Sequence, residues 1–253
     1  MSNADLIRVK YFHSVEIFEN ASDWLFYISA VLSIAVLFLE SDNGFFREMA
    51  VIAFSILVIV LFVITLFLRL YLIPRASNKR NLNFFTKAFN VPLTHERVEG
   101  YYNNDFIDPI KRLAAQVFEN SHFSKSIALH MAIRERTKVG LYILIWLICL
   151  INRKTEIDIV LAVTQVVFSE QIFSKFIRLE WLRMNCERVY EKMYSLFQSK
   201  PSKNEFAAIT ISMVTMYEAI KSNAGITFNS KLFDKLNHDL SLEWEQIKNT
   251  LRF

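Results

Sequence analysis

Histidines, serines and carboxylates do chemistry only in sets, and this chain supplies few sets. Its five histidines, His13, His95, His122, His130 and His238, show no metal-ligand spacing. His122 and His130 stand eight residues apart, too far along one helix to share a zinc ion. No glycine-rich phosphate loop, glycine-flanked serine or paired cysteine motif is present. Ser121 and His122 with His130 are better read as polar helix residues than as a nucleophilic site. The expectation is a protein that is not an enzyme, with no catalytic residue, no metal and no cofactor.

Two other sets carry more. In the apolar run that begins at Ile157, Asp158, Ala162, Gln165 and Ser169 fall on one stripe at 100° per residue, with Glu170 about 100° away. A polar stripe on a membrane helix must face protein or water. It either lines a pore assembled from several copies or hydrogen-bonds to neighbouring helices of its own chain. Glu170 is expected to pair with Lys175 or with a basic residue at the membrane edge. The second set is basic and aromatic: Arg75, Lys79, Arg80, Lys87, Arg97, Lys111 and Arg112, interleaved with Phe84, Phe85, Tyr101 and Tyr102. Cations with aromatic platforms suit phosphates and stacked bases. Arg80, Arg97, Tyr101, Tyr102, Lys111 and Arg112 are the candidate nucleotide ligands. Attraction to anionic membrane lipid is the competing reading, above all for Arg75, Lys79 and Arg80.

Both sets are positioned by apolar helices. Met49–Leu68 holds twenty residues without a charge, fifteen of them Val, Ile, Leu or Phe. As a helix it spans roughly 30 Å, and its insertion is favourable by roughly 4 to 9 kcal/mol. Trp24–Leu39 is a second uncharged run, and Ser22 with Asp23 reads as its cap. Val139–Ile151 is a third run of only thirteen residues. The fourth starts at Ile157, and its acid and lysine cancel most of its apolar gain, so it needs partners to insert.

The remainder reads as helical. Only 4 Gly and 4 Pro in 253 residues argue against sandwiches and barrels. Pro74 is expected to end the second span, Pro92 and Thr94 to start a helix, and Pro109 to open a long helix continuing into the third run. Pro201 breaks the chain again, and Gly225 closes the helix that follows. The fold class is thus an all-α membrane protein with two transmembrane helical hairpins, a helical cytosolic insert and a helical C-terminal region. The divisions are an N-terminal amphipathic segment over 1–23, a first hairpin over 24–73, the insert over 74–138, a second hairpin over 139–178 and the C-terminal region over 179–253. Residues 1–23 lack the pattern of a secretory signal. Cys149 and Cys186 make no disulfide framework and read as thiols in a reducing compartment. Eleven Lys or Arg lie in 73–138 and twelve in 174–253, so the positive-inside rule places these parts and both termini in the cytoplasm.

Leu72, Ile73, Pro74 and Arg75 after the second run, then Phe89, Asn90, Val91 and Pro92, then Tyr101 and Tyr102, then Glu119 to Phe123 before the third run, give the chain a further likeness. Over roughly residues 24–195 it resembles the four-transmembrane pore-forming effectors of bacterial antiphage systems. A sister group of those effectors, the membrane effector of Hailong-type defence, is held closed by single-stranded DNA oligomers. That resemblance implies a multi-pass protein of the bacterial inner membrane. It implies a homo-oligomeric channel gated by a nucleotide or single-stranded oligonucleotide messenger that a nucleotidyltransferase makes, and depolarisation of the host as the outcome. A non-conducting scaffold that recruits a soluble partner, or a small transporter subunit, are the alternatives.

Overall fold

The computed structural model describes residues 6–39, 44–95, 106–152 and 155–252. Most of these residues are helical, and no strand occurs among them. The helices are α1 (His13–Phe38), α2 (Gly44–Phe67), α3 (Ile73–Phe89), α4 (Pro109–Ile151), α5 (Ile157–Val167), α6 (Lys175–Ser199), α7 (Lys203–Ala224) and α8 (Ser230–Leu251). Three π-helical turns, Arg8–Phe12, Leu68–Leu72 and Glu170–Ser174, run directly into α1, α3 and α6.

The chain divides into two compact units. One holds residues 13–73 and 134–177, and the other holds residues 1–12, 74–133 and 178–253. Three helical stretches are long and apolar enough to cross a membrane: Arg8–Phe38, Gly44–Phe89 and Ile157–Ser199. The thirteen-residue Val139–Ile151 run is not among them. It forms the apolar end of α4 directly after the charged residues Arg134 to Lys138, and it falls short of the roughly 20 residues that a bilayer requires.

In the apolar unit, α1 packs against α2 and α5. The ring of Phe18, early in α1, lies 5.6 Å from that of Phe67, at the end of α2, so the two helices run antiparallel. Phe26, Val139 and Ile172 form a small core with Leu61, Tyr142, Ile143 and Phe176 against it. α2 buries none of its residues, with Ile59 and Phe62 each 62% exposed. A long apolar stretch with so little protein cover needs lipid or another chain around it.

Several helix ends differ from the sequence expectation. No helix starts at Trp24: Ser22 and Asp23 sit inside one continuous helix, and Ser22 is buried. Pro74 does not stop the second apolar helix. The N–H of Ile73 bonds to the carbonyl of Leu68, five residues back, and this widened turn takes the chain past a proline that lacks a donor. Residues 91–95 are not helical, and the rest of the helix expected after Thr94 lies outside the described residues. α4 does open at Pro109 and runs unbroken to Ile151. Asp108 caps it, accepting from the N–H groups of Ile110 (2.8 Å) and Lys111 (3.1 Å). Ser202 caps α7, Gly225 closes it at φ 54°, and Asn229 caps α8.

The second unit is a helical bundle around the first part of α4, where every residue from Leu113 to Phe118 is buried. Phe118 packs its ring on Trp244 (5.1 Å), Tyr190 (5.3 Å) and Phe197 (5.6 Å), joining α4 to α6 and α8. One turn on, His122 is buried against Trp244 and Tyr190, and neither ring nitrogen makes an aligned hydrogen bond. The nearest carboxylate oxygen, on Glu243, is 3.5 Å from Nε2. Burial and then the charge of Lys125 push His122 down to about 4, against a weak opposing pull from the Leu240 backbone. Burial pushes Glu119 up to about 8, with Lys248 pulling it down and Glu245 pushing it up.

These two shifts each make a contribution of known sign to the pH dependence of this unit near neutrality. An unfolded glutamate titrates near 4.5, so ionisation favours the unfolded chain as pH rises from 4.5 to about 8. An unfolded histidine titrates near 6.5, so protonation favours the unfolded chain as pH falls from 6.5 to about 4. Each slope is about 1.4 kcal/mol per pH unit, and the two oppose one another where they overlap. Net stability should fall above pH 6.5. Glu119→Gln should raise the thermal midpoint at pH 8 while leaving it nearly unchanged at pH 5, followed by circular dichroism in detergent. Parallel midpoint curves for variant and wild type would contradict a neutral, buried Glu119.

Candidate functional site

Charge inside the apolar unit is where function has to be sought. Each ionised group there is costly unless it is paired, hydrated or moved to the membrane edge. Glu170, in the π-helical turn before α6, pairs with Arg69 in the turn after α2. Lys175, at the start of α6, reaches both carboxylate oxygens of Asp23 on α1, at 3.2 and 3.3 Å. The partner of Glu170 is thus a basic residue at a span end and not Lys175. Asp23 is half of an interhelical ion pair and not a cap.

The uncharged polar groups are mostly satisfied. Ser29, Ser55, Thr65 and Thr164 donate to carbonyls of their own helices three or four residues back. Trp146 Nε1 of α4 donates to Thr164 Oγ1 of α5 at 2.8 Å. Its ring also meets that of Phe168 at 5.3 Å.

α5 carries the exception. Asp158 and Gln165 are exposed, and neither side chain bonds to another described residue. Asp158 lies in the first turn, where the helix dipole favours a carboxylate. Ala162, assigned to the same stripe, is buried. The stripe does not reach Ser169, because α5 ends at Val167. Phe168 and Ser169 leave helical geometry, and Ser169 is extended at φ −69°, ψ 165°. Its Oγ is buried without a hydrogen-bond partner. The four polar residues singled out in this run therefore separate. Asp158 and Gln165 share an open face, Ser169 marks a break, and Glu170 is committed to Arg69.

No family model, curated protein or solved structure matches this chain. Its function must be argued from its own residues.

The basic set is brought together only in part. Arg97, Tyr101 and Tyr102 lie outside the described residues. Lys111 is exposed in the first turn of α4. Arg112 is turned to the backbone, donating to the carbonyls of Ile107 (3.1 Å) and Lys87 (3.5 Å), so it holds the entry to α4 against the end of α3. That role uses guanidinium donors a phosphate would need. Arg80 lies over the ring of Phe12 at 5.4 Å. No group of three or more metal-ligating side chains occurs among the described residues.

The two ion pairs make a specific demand. Arg69→Glu and Glu170→Arg each leave two like charges facing one another in the apolar unit, whereas the double exchange restores opposite charges. Each single variant should lose most of the monodisperse peak on size-exclusion in detergent, and the double variant should recover it. Recovery no better than the worse single variant would mean that the pair does not hold these helices together.

Proposed function

We propose that the chain is a membrane channel assembled from several copies, with α5 facing the conduction path. The observation that supports this reading is the open, unbonded pair Asp158 and Gln165 on α5, in a unit that pairs Arg69 with Glu170 and Asp23 with Lys175 between helices. An exposed carboxylate and amide in an apolar layer call for water or for the same groups of neighbouring copies. A ring of α5 helices supplies both, and closed rotational symmetry is the default for copies of one chain. A scaffold whose stripe lay between helices of its own chain would bond these side chains internally. This proposal keeps Asp158 and Gln165 as pore-lining residues and releases Glu170. Ser169 takes a different part, as the break that lets α5 tilt independently of α6.

The membrane arrangement proposed has four crossings, the third made by the apolar end of α4 with help from its neighbours and a locally thinned bilayer. The basic residues of 73–138 and 174–253 favour cytoplasmic placement of those parts and of both termini. Gating by a nucleotide or single-stranded oligonucleotide, and service in antiphage defence in a bacterial inner membrane, are carried into the proposal by the family resemblance alone. Of the described candidates on α4, Lys111 is exposed and Arg112 is engaged by backbone carbonyls, so Lys111 is the one left for such a ligand.

Water access to α5 separates the readings. In a background with Cys149→Ser and Cys186→Ala, Gln165→Cys should react in native membranes with a charged, membrane-impermeant thiol reagent. Ile59→Cys in the uncharged stretch of α2 should not. Labelling of Asn43→Cys but not Ser202→Cys from outside intact cells would accompany the proposed topology. Gln165→Cys as inert as Ile59→Cys would end the channel reading and favour a scaffold.

A further inference from the structure

The bond from Trp146 to Thr164 joins α4 to α5 in a directed way. Thr164 Oγ1 gives its own proton to the Val160 carbonyl at 2.7 Å, so its lone pairs receive the indole N–H at 2.8 Å. The Trp146 ring also meets that of Phe168 edge-on at 5.3 Å. Thr164 and Phe168 stand four residues apart, on one stripe of α5. One side chain of α4 thus grips α5 at two successive turns. Past the break, the ring of Phe168 meets Phe173 at 5.3 Å, and Phe173 meets Phe176 at 6.5 Å. An aromatic series therefore runs from α4 across the break at Ser169 to the start of α6.

A grip on two points of one stripe fixes a helix against rotation about its own axis. Rotation matters on α5 because its open face is mixed. Asp158 and Gln165 are exposed, and so are Ile157 (74%) and Leu161 (55%). Leu161 lies about 40° around the axis from Gln165, and Ile157 about 100° from Asp158, both on the side toward Thr164. A small turn of α5 therefore puts an aliphatic side chain where an amide stood. The buried side chains of α5, Ala162 and Val167, are small and aliphatic. Contacts of that non-directional kind permit a turn that a hydrogen bond does not. The break at Ser169, whose Oγ is unbonded, gives no hold of its own.

We infer that Trp146 is the positioning residue of the α5 lining. Through Thr164 and Phe168 it sets the rotation of α5 that presents Asp158 and Gln165, and not Leu161, to the conduction path. The inference rests on the channel reading and names the side chain that holds its lining in place.

The test uses the full chain in native membranes, in the Cys149→Ser/Cys186→Ala background. Gln165→Cys and Leu161→Cys are each reacted with a charged, membrane-impermeant thiol reagent, and the ratio of their rates is read. With Trp146 and Thr164 in place, Gln165→Cys should react the faster. Trp146→Phe keeps a ring for Phe168 and removes the N–H, while Thr164→Val keeps the shape and removes the acceptor. Each should lower the ratio by about tenfold, the weight of one hydrogen bond out of water. The two together should lower it no further than the stronger one alone, as for two halves of one interaction. Thr164→Ser, which retains the hydroxyl, should keep the original ratio. A role in packing alone would change the yield of oligomer on size exclusion and leave the ratio unmoved, which would overturn the inference. Additive losses in the double variant would overturn it as well. So would equal rates at the two cysteines with Trp146 and Thr164 intact, a comparison that stands even where the variants assemble poorly. Gln165→Cys inert with Trp146 intact would mean that the channel reading itself has failed, and the inference would fall with it.

Discussion

Charge that lies within an apolar layer must find a partner, and most of this structure follows from where the partners are. Asp23 on α1 meets Lys175 at the start of α6. Arg69 beyond α2 meets Glu170 in the turn before α6. These two pairs tie α1 and the turn after α2 to one short stretch, Glu170–Lys175. Their worth to stability is not large in itself, since desolvation offsets much of the attraction. Their importance is in specificity, because removing one partner leaves its mate exposed to hydrocarbon. α5 is outside this system of pairs. It is short, it ends at an unbonded Ser169, and its open face carries Asp158 and Gln165. The part of the apolar unit held by ion pairs and the part free of them are therefore separate segments.

The π-helical turns fit the same logic. Each adds one residue to a helical turn, which rotates the following face by about 100°. Two of them end at Phe12 and Leu72, within one residue of a change from one compact unit to the other. The third ends at Ser174, shortly before the change after residue 177. The residues before and after such a point must meet different surroundings, apolar cover in one unit and a packed aromatic core in the other. A shifted register lets one helix serve both without a loop. α4 makes the remaining change with no such turn.

Much of this was legible in the amino-acid sequence and some was not, and the difference is physical. The apolar α2, the opening of α4 at Pro109, the stop at Pro201 and the close at Gly225 each follow from strong local causes: hydrophobicity, a fixed φ or a tolerated positive φ. Ser22 with Asp23 and Ser169 with Glu170 offer the same local signal, a hydroxyl followed by an acid, as at a helix start. In the first case the helix runs through, and Asp23 serves Lys175. In the second the helix breaks, although an unbroken apolar run hides it. Which outcome occurs depends on partners more than a hundred residues away, and no local pattern carries that information. The pairing of Arg112 with two carbonyls and the gathering of Lys10, Arg75 and Lys79 around the Tyr11 ring are long-range in the same sense. Asp158 and Gln165 could be named from their type and spacing, while the escape of Ser169 and Glu170 from their stripe could not.

The central claim is that the open polar face of α5 borders water in an assembled pore. Current through a planar lipid bilayer containing the purified wild-type chain, with its oligomeric size checked on the same sample, tests this most directly. Discrete unitary currents that Gln165→Leu abolishes without changing the oligomer are the predicted result, because an apolar ring closes by dewetting. A well-assembled wild-type protein that passes no current, with nucleotides and single-stranded oligonucleotides both supplied and withheld, would contradict it.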